Sequence, residues 1–303
     1  MNQSAKYNWN VQDVIMDVFI YSVLIIFTLL CFYPFYYVII NTISSNALSQ
    51  RGEIIFWPRE IHFANYAQVF NMPGLMQAAF ISVARTVVGT VTMVIVSAFL
   101  GFMFTQEKMW LRLVWYRIII ITMYFSAGLI PWYLLMLRLG LVNNFLAYII
   151  PGLVAPFNII LVKTYVESTP KALQESAQID GASVVAVFFH IVLPIIKPIL
   201  ATIAVFGAVA QWNALFDTLI LMTDHRLYTL QFLLFQYINN AAAIATQLQG
   251  GVMGDGILDV ITRQTETSVR MTITIIVTAP ILFVYPFLQK YFVQGIMIGA
   301  IKG

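Results

Sequence analysis

Ser168-Thr169-Pro170-Lys171-Ala172-Leu173-Gln174-Glu175-Ser176-Ala177-Gln178-Ile179-Asp180-Gly181-Ala182-Ser183-Val184-Val185-Ala186-Val187-Phe188-Phe189-His190-Ile191-Val192-Leu193-Pro194 lies between two long apolar runs. Its local chemistry predicts two short helices around a glycine. Thr169 is placed to cap the first, and Pro170 suits a first helical position, where no N–H is needed. Gly181 is free to take the left-handed conformation that ends a helix. Ser183 then caps the second helix, and Pro194 and Pro198 bend the chain away from it. Taken alone, the stretch is an amphipathic connector. What it connects decides the fold.

On both sides the chain is poor in charge. Of its 303 residues 60% are hydrophobic and only 10% charged, against about 25% charged in a soluble domain. Such a chain cannot cover a water-facing surface, so membrane lipid must face much of it. Intervals without charge predict spans near 18–40, 82–105, 115–136, 145–164, 197–222 and 271–290. Each holds the roughly 17–25 apolar residues that cross a bilayer. Helices are required, because an unpaired backbone group in hydrocarbon costs several kcal/mol. The alternating short strands of a barrel are missing from the pattern. The expectation is an all-α, polytopic transmembrane helical bundle of six spans, a single domain over 1–303. Residues 165–196 form a loop within it.

Lysine and arginine near the span ends set the orientation. With the N-terminus inside, Lys6, Lys108, Lys163, Lys171, Lys197, Lys290 and Lys302 all fall inside, with Arg112 and Arg117. Arg51, Arg59, Arg85, Arg138, Arg226, Arg263 and Arg270 fall outside, most of them in the long segments 41–78 and 223–270, where the rule is weak. Both termini and the loop 165–196 are then cytoplasmic. Asp13 and Asp17 precede the first apolar run, which speaks against a cleavable signal. Cys31, the only cysteine, reads as a lipid-buried side chain. Phe63, Tyr66 and Phe70 recur at helical spacing and predict a short interfacial helix. The small, polar, Gly-rich stretch 239–256 reads as a loop.

Several classes are disfavoured. His62, His190 and His225 are scattered, without metal-ligand spacing, and no cofactor is expected. No basic cluster points to nucleic acid. An ion-coupled carrier or membrane enzyme needs ionisable groups at mid-membrane, and the span centres hold almost none.

The spacing in the opening stretch resembles the EAA loop of binding-protein-dependent ABC importer permeases: Glu-Ala-Ala, three residues, Gly, nine residues, Ile-x-Leu-Pro. Glu175, Ala177, Gly181, Ile191, Leu193 and Pro194 stand in register, with Ser176 in place of the first Ala. Asn65-Tyr66, Phe125 to Pro131, Leu139-Gly140-Leu141 and Trp212-Asn213 resemble the carbohydrate-uptake permeases. The ending from Tyr285 to Gly303 resembles the LplC- and YtcP-like branch. Ser82 departs from the family, which has Asn there.

The resemblance implies a type I ABC importer permease in the bacterial cytoplasmic membrane. It further implies a second homologous permease subunit, two ATP-binding ATPase subunits and an extracytoplasmic solute-binding protein that delivers carbohydrate. The alternative is a non-sugar solute such as a peptide or polyamine. The chain has no G-x-x-x-x-G-K-[ST], so ATP hydrolysis falls to the partners. The EAA loop would be the coupling helix, with Glu175, Ala177, Asp180, Gly181, Ala182, Leu193 and Pro194 in ATPase coupling. Leu173, Ala177 and Val184 offer an apolar face for a groove. Glu175 offers a carboxylate to an arginine. At about 100° per residue, Thr202, Phe206, Asn213 and Asp217 share one face of span five and would line the substrate path, with Trp212 beside them. Gln211 points to the opposite face.

Overall fold

The computed structural model describes residues 11–249 and 267–300, and every regular element among them is helical. These residues fall into two compact units, one from 11–70 with parts of 243–275, the other from 71–242 with 276–300.

The first unit begins with α1 (Val11–Thr42). Its 32 residues span about 48 Å at 1.5 Å per residue, more than the hydrocarbon core of a bilayer. From Val11 to Phe35 nearly every side chain is exposed, apolar residues included, so none of the described residues covers this stretch of the helix. At its far end the helix is tied to the following segment. Asn41 donates from Nδ2 to the carbonyls of Tyr37 (2.8 Å) and Ile54 (3.3 Å), and its Oδ1 accepts from Ser49 Oγ. After α2 (Asn46–Gln50), α3 (Ala64–Phe70) lies where the interfacial helix is expected. Asn65 Nδ2 donates to the Thr42 carbonyl at 3.0 Å, and the Tyr66 hydroxyl pairs with Thr42 Oγ1 at 2.8 Å. The Asn-Tyr signature thus pins α3 to the end of α1, while Phe63 and Phe70 stay exposed.

The second unit is centred on α4 (Leu75–Met103). It continues through α5 (Arg112–Tyr124), α6 (Leu129–Arg138), two 3₁₀ turns over 145–152, and α7 (Pro156–Glu167). Then follow α8 (Ala172–Ile179), α9 (Val184–Ile195), α10 (Lys197–Asn213) and α11 (Phe216–Leu221). Two long helices close the order, α12 (Leu230–Gln249) and α13 (Thr267–Ala300). α4 packs on α7 and α10. At Gly101 the approach is so close that a Cβ would lie 2.7 Å from Val162. The core joins Ala98 and Phe102 of α4, Val162 and Val166 of α7, Val187, Phe188 and Val192 of α9, and Ile196, Ile199 and Ile203.

Six uninterrupted spans are not what the structure shows. By length and apolarity α1 and α4 qualify to cross a membrane, and two bent pairs bring the number to four among the described residues. The expected span 115–136 is interrupted between Tyr124 and Leu129. The span 145–164 bends by 45° between the 3₁₀ turns and α7. The span 197–222 stops at Asn213, because Ala214 is extended (ψ 120°). The loop expected over 239–256 is helical up to Gln249, the rest lying outside the described residues. The predicted bend at Pro194 and Pro198 is present, as an 80° turn between α9 and α10.

Candidate functional site

The loop quoted above folds as its caps dictate, with one change. Gly181 has φ +83°. Its N–H donates to the Gln178 carbonyl at 3.1 Å, and the Ala182 N–H donates to the Ala177 carbonyl at 2.9 Å. These two bonds are the Schellman pair that closes a helix on a left-handed residue. Leu139-Gly140-Leu141 ends α6 in the same way, with Leu141 N–H on the Met136 carbonyl at 3.0 Å. Ser183 Oγ accepts from Ala186 N–H at 3.2 Å and caps α9, as expected. Thr169 does not cap α8. Its hydroxyl donates to the Val166 carbonyl (2.6 Å), so it closes α7 instead. Phe188–Val192 is a π-helical turn. Pro194, two residues on, lacks an N–H and brings a bulky ring, and a widened turn accommodates both.

This local structure sorts the loop residues into two faces. Ala177, Ala182 and Leu193 are half-buried and pack on the apolar core. Leu173, Ile179 (85% exposed) and Val184 point outward, with Glu175, Asp180 and Gly181 also exposed. Ala177 therefore leaves the apolar outer face expected for it, and Ile179 joins it. The reason is the packing of α8 on α9, which turns Ala177 inward. The loop is also held from its side, through Gln106 to Gln174 (3.2 Å) and Lys171 to Glu107 (3.5 Å).

A second constellation gathers around Arg85. Counted from sequence among the outer charges, at the start of the expected span 82–105, Arg85 lies within α4, with its side chain 2% exposed. A guanidinium is almost never buried unless its charge is paired. Here Nε and Nη2 both donate to Gln211 Oε1 (3.1 and 3.0 Å), Nη1 donates to the Ala214 carbonyl (3.3 Å), and Nη2 donates to Asp217 Oδ2 (2.5 Å). The guanidinium also lies 4.2 Å from the centre of the Tyr148 ring. The break at Ala214 explains the arrangement. It frees carbonyls at the end of α10 and sets Asp217 in the first turn of α11, so a cation placed between the two helices satisfies both. Gln211 Nε2 donates to the Tyr148 carbonyl (3.2 Å), and Gly89 is what leaves room for the amide, since a Cβ there would meet it at 2.6 Å. The Tyr148 hydroxyl donates to the Leu227 carbonyl at 2.6 Å.

Beside this cluster is a cavity of about 340 Å³, whose walls include Trp132, Gln211, Phe216 and Asp217. Of the four residues expected to line the path, only Asp217 reaches it. The expected shared face presumed one continuous helix, and the break after Asn213 rotates Asp217 toward Gln211. Asn213 accepts from Gln231 Nε2 (3.2 Å), and Phe206 is 40% exposed on another side of α10. Trp212 is buried and donates from Nε1 to the Val277 carbonyl (3.0 Å), an anchor for α13. Thr202 is buried as well. Ser82, the departure from the family pattern, accepts from the Leu230 N–H at 2.8 Å and holds the start of α12. Sequence reasoning missed Arg85, Tyr148 and Gln211. The only available signal was an arginine followed by a long apolar run.

A fold that is helical throughout the described residues, with exposed apolar faces, a glycine-closed loop helix and a mostly apolar cavity beside a buried ion pair, fits a membrane transport component. Residues 93–298 match the family described as binding-protein-dependent transport system inner membrane component, and the chain belongs to it. It is a permease component and not itself an enzyme. Among its relatives, Protein LplC of Bacillus subtilis (strain 168) is 35% identical over 271 residues, 89% of either chain. The polygalacturonan/rhamnogalacturonan transport system permease protein YtcP of the same organism is 31% identical over 291 residues, 95% of this chain and 99% of that one. The fold matches a chain of a bacterial ABC transporter involved in the import of the acidic polysaccharide alginate. The TM-score is 0.80 and the identity 29%, over 95% of this chain and all of the other.

Proposed function

We propose that this chain is the channel-forming permease subunit of an ATP-driven importer that takes up a carbohydrate delivered by an extracytoplasmic solute-binding protein. The observation that carries the reading is the loop helix α8. It is closed by Gly181 in a left-handed turn and, with Val184 at the start of α9, offers Leu173, Glu175 and Ile179 to a partner. It is braced behind by Ala177, Ala182 and Leu193 on the core. That is a rigid handle with an apolar grip and a carboxylate for a bidentate arginine. The partners are a second homologous permease, which covers part of the exposed apolar surface, and two ATPases. Glu175, Asp180 and Gly181 touch an ATPase, while Ala177, Ala182, Leu193 and Pro194 transmit its movement into α9 and α10. The whole chain forms one permease domain with six crossings, some of them broken helices, and both termini are cytoplasmic. Carbohydrate is the solute class, because two of these similar proteins, YtcP and the alginate transporter, are named for polysaccharides.

The test is uptake. Cells lacking this chain should lose ATP-dependent import of at least one oligosaccharide and regain it with the wild-type chain. Cells carrying Gly181→Pro should insert the protein and fail to import. Loss of peptide or polyamine import, with every oligosaccharide unaffected, refutes the carbohydrate reading.

A further inference from the structure

The cavity beside Arg85 has a chemical bias that follows from hydrogen-bond accounting. A guanidinium has five N–H donors, and four contacts of Arg85 are already made inside the protein, to Gln211, Ala214 and Asp217. Its charge is matched by Asp217 at 2.5 Å. Gln211 is committed too, its oxygen to Arg85 and its nitrogen to the Tyr148 carbonyl. The Tyr148 hydroxyl is committed to the Leu227 carbonyl. Asp217 is different. Its Oδ2 holds Arg85, its Oδ1 accepts from no described residue, its side chain is 21% exposed, and the residue lines the cavity. Also among the lining residues are Trp132 and Phe216, whose rings lie 6.2 Å apart, inclined at 39°.

The lining of the cavity therefore includes a carboxylate with one uncommitted oxygen and two aromatic rings, and no unpaired cation. A carboxylate oxygen accepts strong, charge-assisted bonds from hydroxyl groups. Aromatic faces take the C–H side of a pyranose ring, which is apolar and weakly positive, against a negative ring face. An incoming carboxylate finds Arg85 occupied and meets Asp217 as a like charge, which disfavours both ions. At about 340 Å³ the space is at the small end of ligand sites, enough for a short stretch of sugar at a time.

We infer that this cavity is a saccharide subsite of the permease itself, selective for uncharged pyranose rings over uronate rings, with Asp217 Oδ1 as the hydroxyl acceptor and Trp132 and Phe216 as the stacking wall. The inference rests on the carbohydrate reading above and adds the place and the charge class. It also separates this cavity from the acidic cargo named for the alginate transporter.

The experiment uses the assembled transporter in proteoliposomes, carrying Ala210→Cys in a Cys31→Ala background. Ala210 is exposed and lines the cavity, so the new thiol is the only one in this chain. Its rate of modification by a small maleimide is followed with matched trisaccharide pairs, neutral and uronate, of gluco, galacto and manno stereochemistry. Radiolabelled forms of the same sugars give uptake in parallel. At least one neutral sugar should slow modification several-fold, and its uronate partner should not. Asp217→Asn, in an assembled complex, should abolish protection by the neutral sugar. Equal or better protection by the uronate overturns the selectivity. Uptake of a neutral sugar with no protection at residue 210 overturns the subsite and leaves the carbohydrate reading standing. Unchanged protection in Asp217→Asn also overturns the subsite. No uptake of any of the six sugars counts against both. The wild-type comparison of neutral and uronate sugars needs no Asp217 variant, so a variant that fails to assemble does not spare the inference.

Discussion

Replacing Gly181 by alanine adds a Cβ to the residue that closes the loop helix, at φ +83°. No heavy atom of the described residues lies within 4 Å of where that Cβ would sit, so the substitution meets no steric clash among them. Its cost is purely conformational. An L-residue in the left-handed region pays about 1–2 kcal/mol. That is a 5–30-fold shift away from the turn that carries the Ala182-to-Ala177 and Gly181-to-Gln178 bonds. Asparagine tolerates the region better than alanine, and valine, being β-branched, tolerates it worst. Sugar-stimulated ATPase activity in the assembled transporter should therefore fall in the order Gly, Asn, Ala, Val. Membrane insertion should be unaffected throughout, since α9 keeps its own Ser183 cap. The assay is ATP hydrolysis with and without loaded binding protein, alongside ATPase co-purification. If asparagine is as damaging as valine, the site is limited by close approach of a partner and not by backbone conformation. Full coupling in all three variants would refute the claim that the left-handed turn matters.

Arg85→Met strands Asp217 beside a helix break and should lower the thermal stability of the solubilised complex by about 3–5 kcal/mol, whereas the double variant Arg85→Met/Asp217→Leu should recover a large part of it. Gly101→Ala should cost about 1–3 kcal/mol by pushing α4 off Val162. Gly207→Ala should cost less, because its nearest neighbour is the terminal methyl of Met93, which can swing aside; melting of the two variants side by side decides it. For topology, single cysteines at Lys108 and Glu175 in a Cys31→Ala background should resist an impermeant thiol reagent in intact cells. One at Arg59 should react, and labelling of Glu175→Cys from outside would invert the orientation and remove α8 from the ATPase side.

What the sequence determined by itself was everything that depends on near neighbours along the chain or on bulk partition. The charge deficit demanded lipid, and lipid demanded helices, because no water is there to satisfy a backbone group. Gly181, Ser183, Pro194 and Pro198 set the end, the cap and the bend of the loop, since each acts within four or five residues of itself. Asn65-Tyr66 does not belong to that group, since its partner Thr42 lies more than twenty residues away and their attachment is visible only in the fold. Tertiary structure decided where spans break and which charges are free. Continuing the helix past Asn213 is locally acceptable. It stops there in the fold, and Arg85 of α4 takes up the Ala214 carbonyl and Asp217 that the break leaves. Charge counting treats an arginine as a marker of the water boundary, and only a partner more than a hundred residues away turns it into a buried brace. The same break moved Asp217 off the face of Phe206 and Asn213, onto that of Gln211. A helical wheel assumes that the helix continues, and whether it does is settled by contacts that no local pattern records.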